Sequence, residues 1–334
     1  MQSPINSQPT TSLASLGWTL GGEKEDWLKR RRSGIGGSEA AAVLGVSPFK
    51  SAFTLWAEKT EKVPEPDLDM KEYIYWGNKL EPVIADRYSE ETGRSLIDYG
   101  RYAIKYHPEI SFMHCTIDRA LPLPGPEDVK RIGYPEFADG YGSLSIKNAN
   151  EFTLQEWEED TPLHYQVQLQ QELCVTGWLW GGFAVLIGGN TFRWADARKN
   201  EAFISMLKQE EERFWTEFVQ KDIPPPVDKD ASDSTLETLK RLYPKHSDKV
   251  INLPEYLKEV RNKRRELKDQ IRQAEKDIQG YEIQLRAAMG AAVVGGFQDG
   301  TGLVFKMQER KGYYVEPTSF RVLREVKNIK KVRL

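Results

Sequence analysis

The chain has 334 residues, nine of them tryptophan, and a formal net charge of −3. That is long enough for a substantial core, and no apolar run approaches the roughly 20 residues that a membrane span needs. The overall charge excludes a uniformly basic polyanion binder. The local distribution is uneven, however: 29–32 (KRRR) and the stretch from Lys258 onward are basic, while 58–72 and 151–160 are acidic. Such basic stretches fit either a local surface for DNA phosphates or plain solvated helix faces.

Residues 1–16 are rich in Ser, Thr, Gln and Pro and read as a loose N-terminus without a secretory signal. Cys115 and Cys174 lie in apolar contexts, with no Cys or His at zinc-ligand spacing, as expected of buried thiols in a reducing cytoplasm. Glu25 to Arg32 reads as a short basic helix. After it, Ile35-Gly36-Gly37 reads as a turn, Ser38 as an N-cap, and EAAAVLG as a helix closed by Gly45. Glycines before a helix N-terminus suit an anion, although the GK[ST] of a nucleotide-binding P-loop is missing and a plain helix start fits equally. Ala52 to Lys59 reads as helical. So does Met70 to Thr92, with Ile74, Leu80, Ile84 and Tyr88 on its apolar face and Glu81 either aimed inward or exposed.

Two stretches then place polar residues inside apolar runs: SFMHCTIDRALPL, with Asp118, and YGSLSIKNAN, with Lys147. Alternation along a strand puts Ser145 and Lys147 on one face and Ile146 on the other. A carboxylate and a lysine on neighbouring strands suit a divalent cation and an activated water attacking a phosphodiester, although the acid such a site wants at position 145 is absent. A surface Asp beside a snorkelling Lys is the plainer alternative. SLIDYGRYAIKY is read as an earlier strand and 121–140 as a loop. Pro162 to Gly177 is read as a helix, WLWGGFAVLIGGN and TFRWAD as a strand hairpin, and 199–220 as an amphipathic helix. This order predicts an α/β fold: a mixed central sheet flanked by helices, spanning 17–222.

IPPPVDKDASDST, 223–235, reads as a linker. The accessory region 236–334 follows, with a charged helix over roughly 254–288 and a β-hairpin around Gln298-Asp299-Gly300 succeeded by a third strand. Val260, Leu267, Ile271, Ala274, Ile278, Tyr281 and Leu285 keep the spacing of a coiled-coil seam, to be paired between subunits, folded back, or used to dock another protein.

Four blocks, in order, resemble one family. WLKRRRSGIGGSEAAAVLGVSPFKSAFTLWAEKT is similar to the opening motif of the YqaJ-type viral recombinase nucleases, relatives of the lambda exonuclease. WGNKLEPVIADRYSEETG, with Gly77, Glu81 and Pro82, resembles their second motif. The Asp118 strand with GSLSIKNAN resembles the PD-(D/E)xK nuclease core, and PLHYQVQLQQELCVTGWLWGGFAVLIGGN their glutamine-rich helix and strand. Together they cover about 25–195. The resemblance implies a restriction-endonuclease-like core and Mg²⁺-dependent digestion of duplex DNA from the 5′ end, with Mn²⁺ able to substitute. The resulting 3′ overhang would pass to a single-strand annealing protein, and relatives form homo-oligomeric rings. It implies Glu81, Asp118 and the backbone carbonyl of Ile146 as metal ligands, Lys147 at the water, Arg31 or Arg32 with Ser38 at the terminal phosphate, and Gln168 or Gln170 near the metal. Where the family has Glu-x-Lys, this chain has Ser145-Ile146-Lys147. Three explanations follow: Ser145 silences the enzyme, the acid has moved to Glu172, or the protein binds DNA ends without cutting.

Overall fold

A computed structural model describes residues 17–19, 23–64, 71–122, 125, 133–227, 233–247, 249–312, 314, 316, 321 and 323–325. The N-terminus 1–16 and most of the chain beyond 312 lie outside them. The chain divides into two compact units, residues 1–243 and 244–334.

The first unit contains two four-stranded mixed sheets flanked by helices, the α/β core the sequence predicts. In one sheet the order is β1 (Trp18–Thr19), β3 (Ile104–Tyr106), β4 (Met113–Cys115), β2 (Ile35–Gly36), with β2 parallel to β4. In the other the order is β5 (Arg119–Leu121), β6 (Gly142–Ala149), β7 (Trp180–Ile187), β8 (Thr191–Arg198), where only β6 and β7 run parallel. The stretch read as one Asp118 strand is therefore two strands in two sheets, with Asp118 at the bend between them. Ile35 and Gly36, expected in a turn, are paired backbone. They lie so close to β4 that a Cβ on Gly34 would sit 2.2 Å from the Phe112 carbonyl oxygen.

The helices form where apolar spacing and end signals agree. Helix α1 is Lys24–Arg32, α2 Gly37–Val43, α3 Ala52–Lys59 and α4 Glu72–Thr92. Helix α5 is Leu154–Glu159, α6 Leu163–Thr176, α7 Glu201–Arg213 and α8 Asp233–Leu242. Gly93 and Gly177 end α4 and α6 with positive φ, as C-cap glycines do. The N-cap of α2 is Gly36, so Ser38 sits inside the first turn instead of capping it. The amphipathic stretch after α7 continues as a π-helical turn over Phe214–Val219. Helix α6 is central: Cys174 and Val175 pack with Met113 and Cys115 of one sheet, while Leu169 and Leu173 pack on Phe183 of the other. Ile146 turns the opposite way, into a cluster with Ile84, Tyr88 and Trp180.

Helix α8 begins inside the expected linker and belongs to the first unit. Thr238 Oγ1 lies 3.0 Å from Thr54 Oγ1 of α3, and Leu239 and Leu242 pack with the Phe53–Trp56 cluster, so the boundary falls after Tyr243. The second unit carries helix α9 (Leu257–Met289) and the antiparallel hairpin β9 (Val294–Gly296) and β10 (Gly302–Val304). Among the described residues no third strand follows, and no helix is long and apolar enough to cross a membrane.

A buried cation braces the second sheet. Arg94 is 1% exposed and makes a two-pronged ion pair with Asp196 of β8, at 2.6 and 2.9 Å. It also donates to Tyr88 Oη at 2.7 Å and to the Gly133 carbonyl at 3.0 Å, inside a cage of Tyr88, Tyr134, Trp180 and Trp194 rings. Removing one partner of such a pair leaves an uncompensated buried charge. Asp196→Ala is expected to cost about 3–5 kcal/mol in urea unfolding, and a loss below about 1 kcal/mol would show that the aromatic cage alone holds the guanidinium.

Candidate active site

Strand β6 and helix α6 build the site between them. Alternation along β6 sends Ser143, Ser145 and Lys147 to the face opposite Ile146, and all three meet charged groups. Asp118 Oδ2 accepts the Ile146 amide at 2.7 Å and lies 3.5 Å from Lys147 Nζ. The lysine also faces the Tyr165 ring, at 5.4 Å from its centroid. Burial works against its charge, but Asp118, Glu172 and Tyr165 overcome that, so Lys147 titrates above its ordinary value and is an ammonium at neutral pH.

Glu172 of α6 occupies the space beside Ser145. Its carboxylate is 1% exposed and accepts hydrogen bonds from Ser143 Oγ at 2.7 Å and Gln168 Nε2 at 2.9 Å, with Ser145 Oγ at 3.3 Å. Burial, reinforced by the nearby charge of Asp118, pushes its pKa up to about 7, although the Ser143 bond, Lys147 and Gln168 oppose the rise. Helix α6 packs closely on the start of α2: a Cβ on Gly37 would sit in van der Waals contact with Gln168 and Glu172, at 3.4–3.5 Å.

Glu81 of α4 is not buried alone. It accepts from Arg119 at 2.6 Å, and Arg119 also lies 3.5 Å from Asp98. Burial and then Asp118 raise the Glu81 pKa, while Arg119 opposes the shift. Among the described residues no three His, Cys, Asp or Glu side chains converge as a ready metal cage. The donor chemistry nevertheless fits a hard divalent cation, because these oxygen donors include three carboxylates whose charges oppose one another through Asp118. Holding a cation with Glu81 competes with its ion pair to Arg119.

The GIGGS segment forms a second cluster. Arg31 Nη2 lies 3.5 Å from both Ser38 Oγ and Glu39 Oε1, and the guanidinium stacks 4.7 Å over the Trp27 ring. Arg32 instead points to Glu61, at 4.0 Å. Of the two candidate glutamines, Gln168 is at the site. Gln170 bridges the Arg198 carbonyl and the Asn200 amide.

Sequence reading passed over several residues here. Glu39 is buried, accepting from Gly36 N–H at 2.9 Å and Lys59 Nζ at 2.8 Å. Burial alone would raise its pKa, but Lys59 and Arg31 hold it well below the usual carboxylate range. His114 lies beside the same network, with burial lowering its pKa to about 4, so it is neutral. Ser143 was legible from the period-2 alternation with Ser145 and Lys147. Glu39 had a signal too, an acid three residues past a helix start. Lys59 and His114 had none.

A model of the YqaJ-like viral recombinase domain matches residues 26–178. The protein described as uncharacterized protein YqaJ, from Bacillus subtilis (strain 168), is 31% identical over 276 residues, 81% of this chain and 80% of that one. The chain belongs to the YqaJ-like viral recombinase family. Solved structures with likeness to it include an alkaline exonuclease from Laribacter hongkongensis (18% identity, TM-score 0.47, covering 66% of this chain and 100% of that one). A phage-related exonuclease from Haemophilus somnus 129PT is also similar (12% identity, TM-score 0.40, covering 57% and 95%).

The elevated Glu172 pKa has a consequence for stability. A carboxyl whose folded pKa lies near 7 against about 4.5 unfolded favours folding below pH 4.5, and that contribution is lost as pH rises through 7. The melting temperature is therefore expected to fall between about pH 5 and 7, and Glu172→Gln to remove that part of the slope. Parallel melting profiles for the two proteins across pH 5–8 would contradict this assignment.

Proposed function

We propose that this protein is a divalent-metal-dependent exonuclease that degrades the 5′-ended strand of linear duplex DNA, and that Glu172 supplies the acid missing at position 145. The observation that carries this reading is the Glu172 carboxylate lying 3.3 Å from Ser145 Oγ, beside Asp118 and Lys147. A silenced enzyme would have no need of a second buried acid in that place. An acid added at 145 would put two carboxylates together, disfavouring ionisation of both.

Asp118, Glu172, Glu81 and the Ile146 carbonyl would hold Mg²⁺ or Mn²⁺. When bound, the ion lowers the pKa of an attacking water and offsets charge on the phosphoryl oxygens. Lys147, protonated and anchored by Asp118, cannot serve as the base. It orients the water and steadies negative charge at the phosphate. Gln168 fixes the Glu172 carboxylate through one oxygen while Ser143 fixes it through the other. Arg31 and Ser38 hold the 5′-phosphate. Arg31 has the forked donor geometry for it and is kept in place by Trp27 and Glu39. The resulting 3′ overhang would be the substrate of a single-strand annealing partner in the host cytoplasm.

The test is a digestion assay on linear duplex DNA carrying a 5′-phosphate or a 5′-hydroxyl. The chain as it stands is expected to cut with Mg²⁺ or Mn²⁺ and to stop when EDTA removes the metal. Glu172→Gln and Lys147→Ala should each lower the rate about a hundredfold or more, and Ser145→Glu should not raise it. Arg31→Ala should erase the preference for 5′-phosphate. Cutting by Ser145→Glu alone would mean that Ser145 silences the enzyme, whereas DNA-end binding with no cutting by any variant would make it a binding protein.

A further inference from the structure

Helix α9 is 33 residues long, about 50 Å, and none of its residues is buried. Val260, Leu267, Ile271, Ile278, Tyr281 and Leu285 are 42–66% exposed and lie along one line. Within its own unit the helix is touched near its ends, where Arg286 stacks on Phe305 and Arg264 lies 3.4 Å from Glu325. The seam runs without a break in heptads: positions a are Leu257, Arg264, Ile271, Ile278 and Leu285, and positions d are Val260, Leu267, Ala274, Tyr281 and Ala288. A period of 3.5 kept over more than four heptads suits a second helix of the same repeat, wound with it in a left-handed supercoil.

The charges flanking the seam choose the partner and its direction. A parallel pair of these helices would stack Arg264 on Arg264 in the core. It would also set Lys263 against Lys268, and Asp277 against Glu282, across the interface. An antiparallel pair reverses every one of these conflicts. Its core layers match Val260 with Leu285, Leu267 with Ile278 and Ile271 with Ala274, and lay the Arg264 guanidinium against the Tyr281 ring. One flank then brings Arg261 to Glu282 and Lys268 to Glu275, each twice by symmetry. The other flank brings Lys263 to Gln284 and Gln270 to Asp277, with no like charges opposed. Glu282 already pairs with Arg286 on its own helix at 2.8 Å, and Arg264 with Glu325, but both pairs are solvent-exposed and weak enough to exchange.

We propose that α9 is a homodimerisation element: two copies of this chain associate through an antiparallel two-stranded coiled coil centred between Ile271 and Ala274. The seam is self-complementary, as a twofold interface must be, and complementary in one direction only.

Sedimentation equilibrium of the full chain tests this, with far-UV circular dichroism to follow helix content. Lys268→Glu places two like-charged pairs in the antiparallel dimer and is expected to weaken association about tenfold. Lys268→Glu combined with Glu275→Lys restores the pairs and should bring affinity back to within about twofold, which also excludes misfolding as the cause. Association through the nuclease unit would respond to neither change. If Lys268→Glu tightens the complex, the helices are parallel and the proposal fails, because that change relieves the Lys263–Lys268 conflict. A single-chain mass at tens of micromolar, or a stoichiometry that neither variant alters, also overturns it and leaves the seam to another protein.

Discussion

A carboxylate shut away from water constrains the first unit. Glu172 is reached from below by Ser143 and Ser145 of β6 and from one turn back on its own helix by Gln168, with the Lys147 ammonium near enough to act on it electrostatically. Without those donors a buried acid would be too costly to keep. With them it is kept at the edge of ionisation. Its setting depends on several distant choices being made together. Serine at 143 and 145 leaves room above the strand, and the start of α2 packs against α6 at Gln168 and Glu172. A helix that rests on both sheets carries the acid to the place where Asp118 emerges at their junction. The position of the acid relative to Lys147 follows from this packing, not from a local motif.

The second cluster obeys the same electrostatics with the opposite outcome. Glu39 is also buried, yet Lys59 and Arg31 hold it ionised while Glu172 is pushed toward neutrality. The difference lies in the neighbours: cations in one case, another carboxylate in the other. The ionised Glu39 tethers Arg31 beside Ser38, and Lys59 also donates to the Arg31 carbonyl at 2.8 Å. Arginine orientation at this site is thus governed by largely buried charges. Arg94 and Asp196 repeat the principle on the far side of β7, where a buried guanidinium pins Tyr88 of α4 to β8.

The second unit is built differently. Its long helix buries no side chain, so tertiary packing within the unit stabilises it little, and water screens surface pairs such as Glu259–Lys263 and Glu282–Arg286. An apolar stripe left in water, interrupted by Arg264, is the condition that association relieves. In this family member, then, one unit encloses buried charge, and the other carries an exposed heptad seam.

Much of this was written in local sequence. Gly93 and Gly177 marked helix ends because only glycine enters the left-handed region freely, and the alternation along 143–147 separated Ser145 and Lys147 from Ile146. The seam spacing in 257–285 was equally plain, since periodicity is a property of consecutive residues. Tertiary structure decided the rest. That Glu172 lies beside Ser145 depends on the approach of a helix 27 residues further along. That Arg31 lies beside Ser38 depends on a partner, Glu39, whose own charge depends on Lys59. Asp118 proved to lie between two sheets because Met113–Cys115 and Arg119–Leu121 pair with different strands, a matter of long-range hydrogen bonding that an unbroken apolar stretch does not encode. Spacing along the chain shows which side chains share a face, whereas the charge state of a buried group is set by what the fold brings against it from elsewhere.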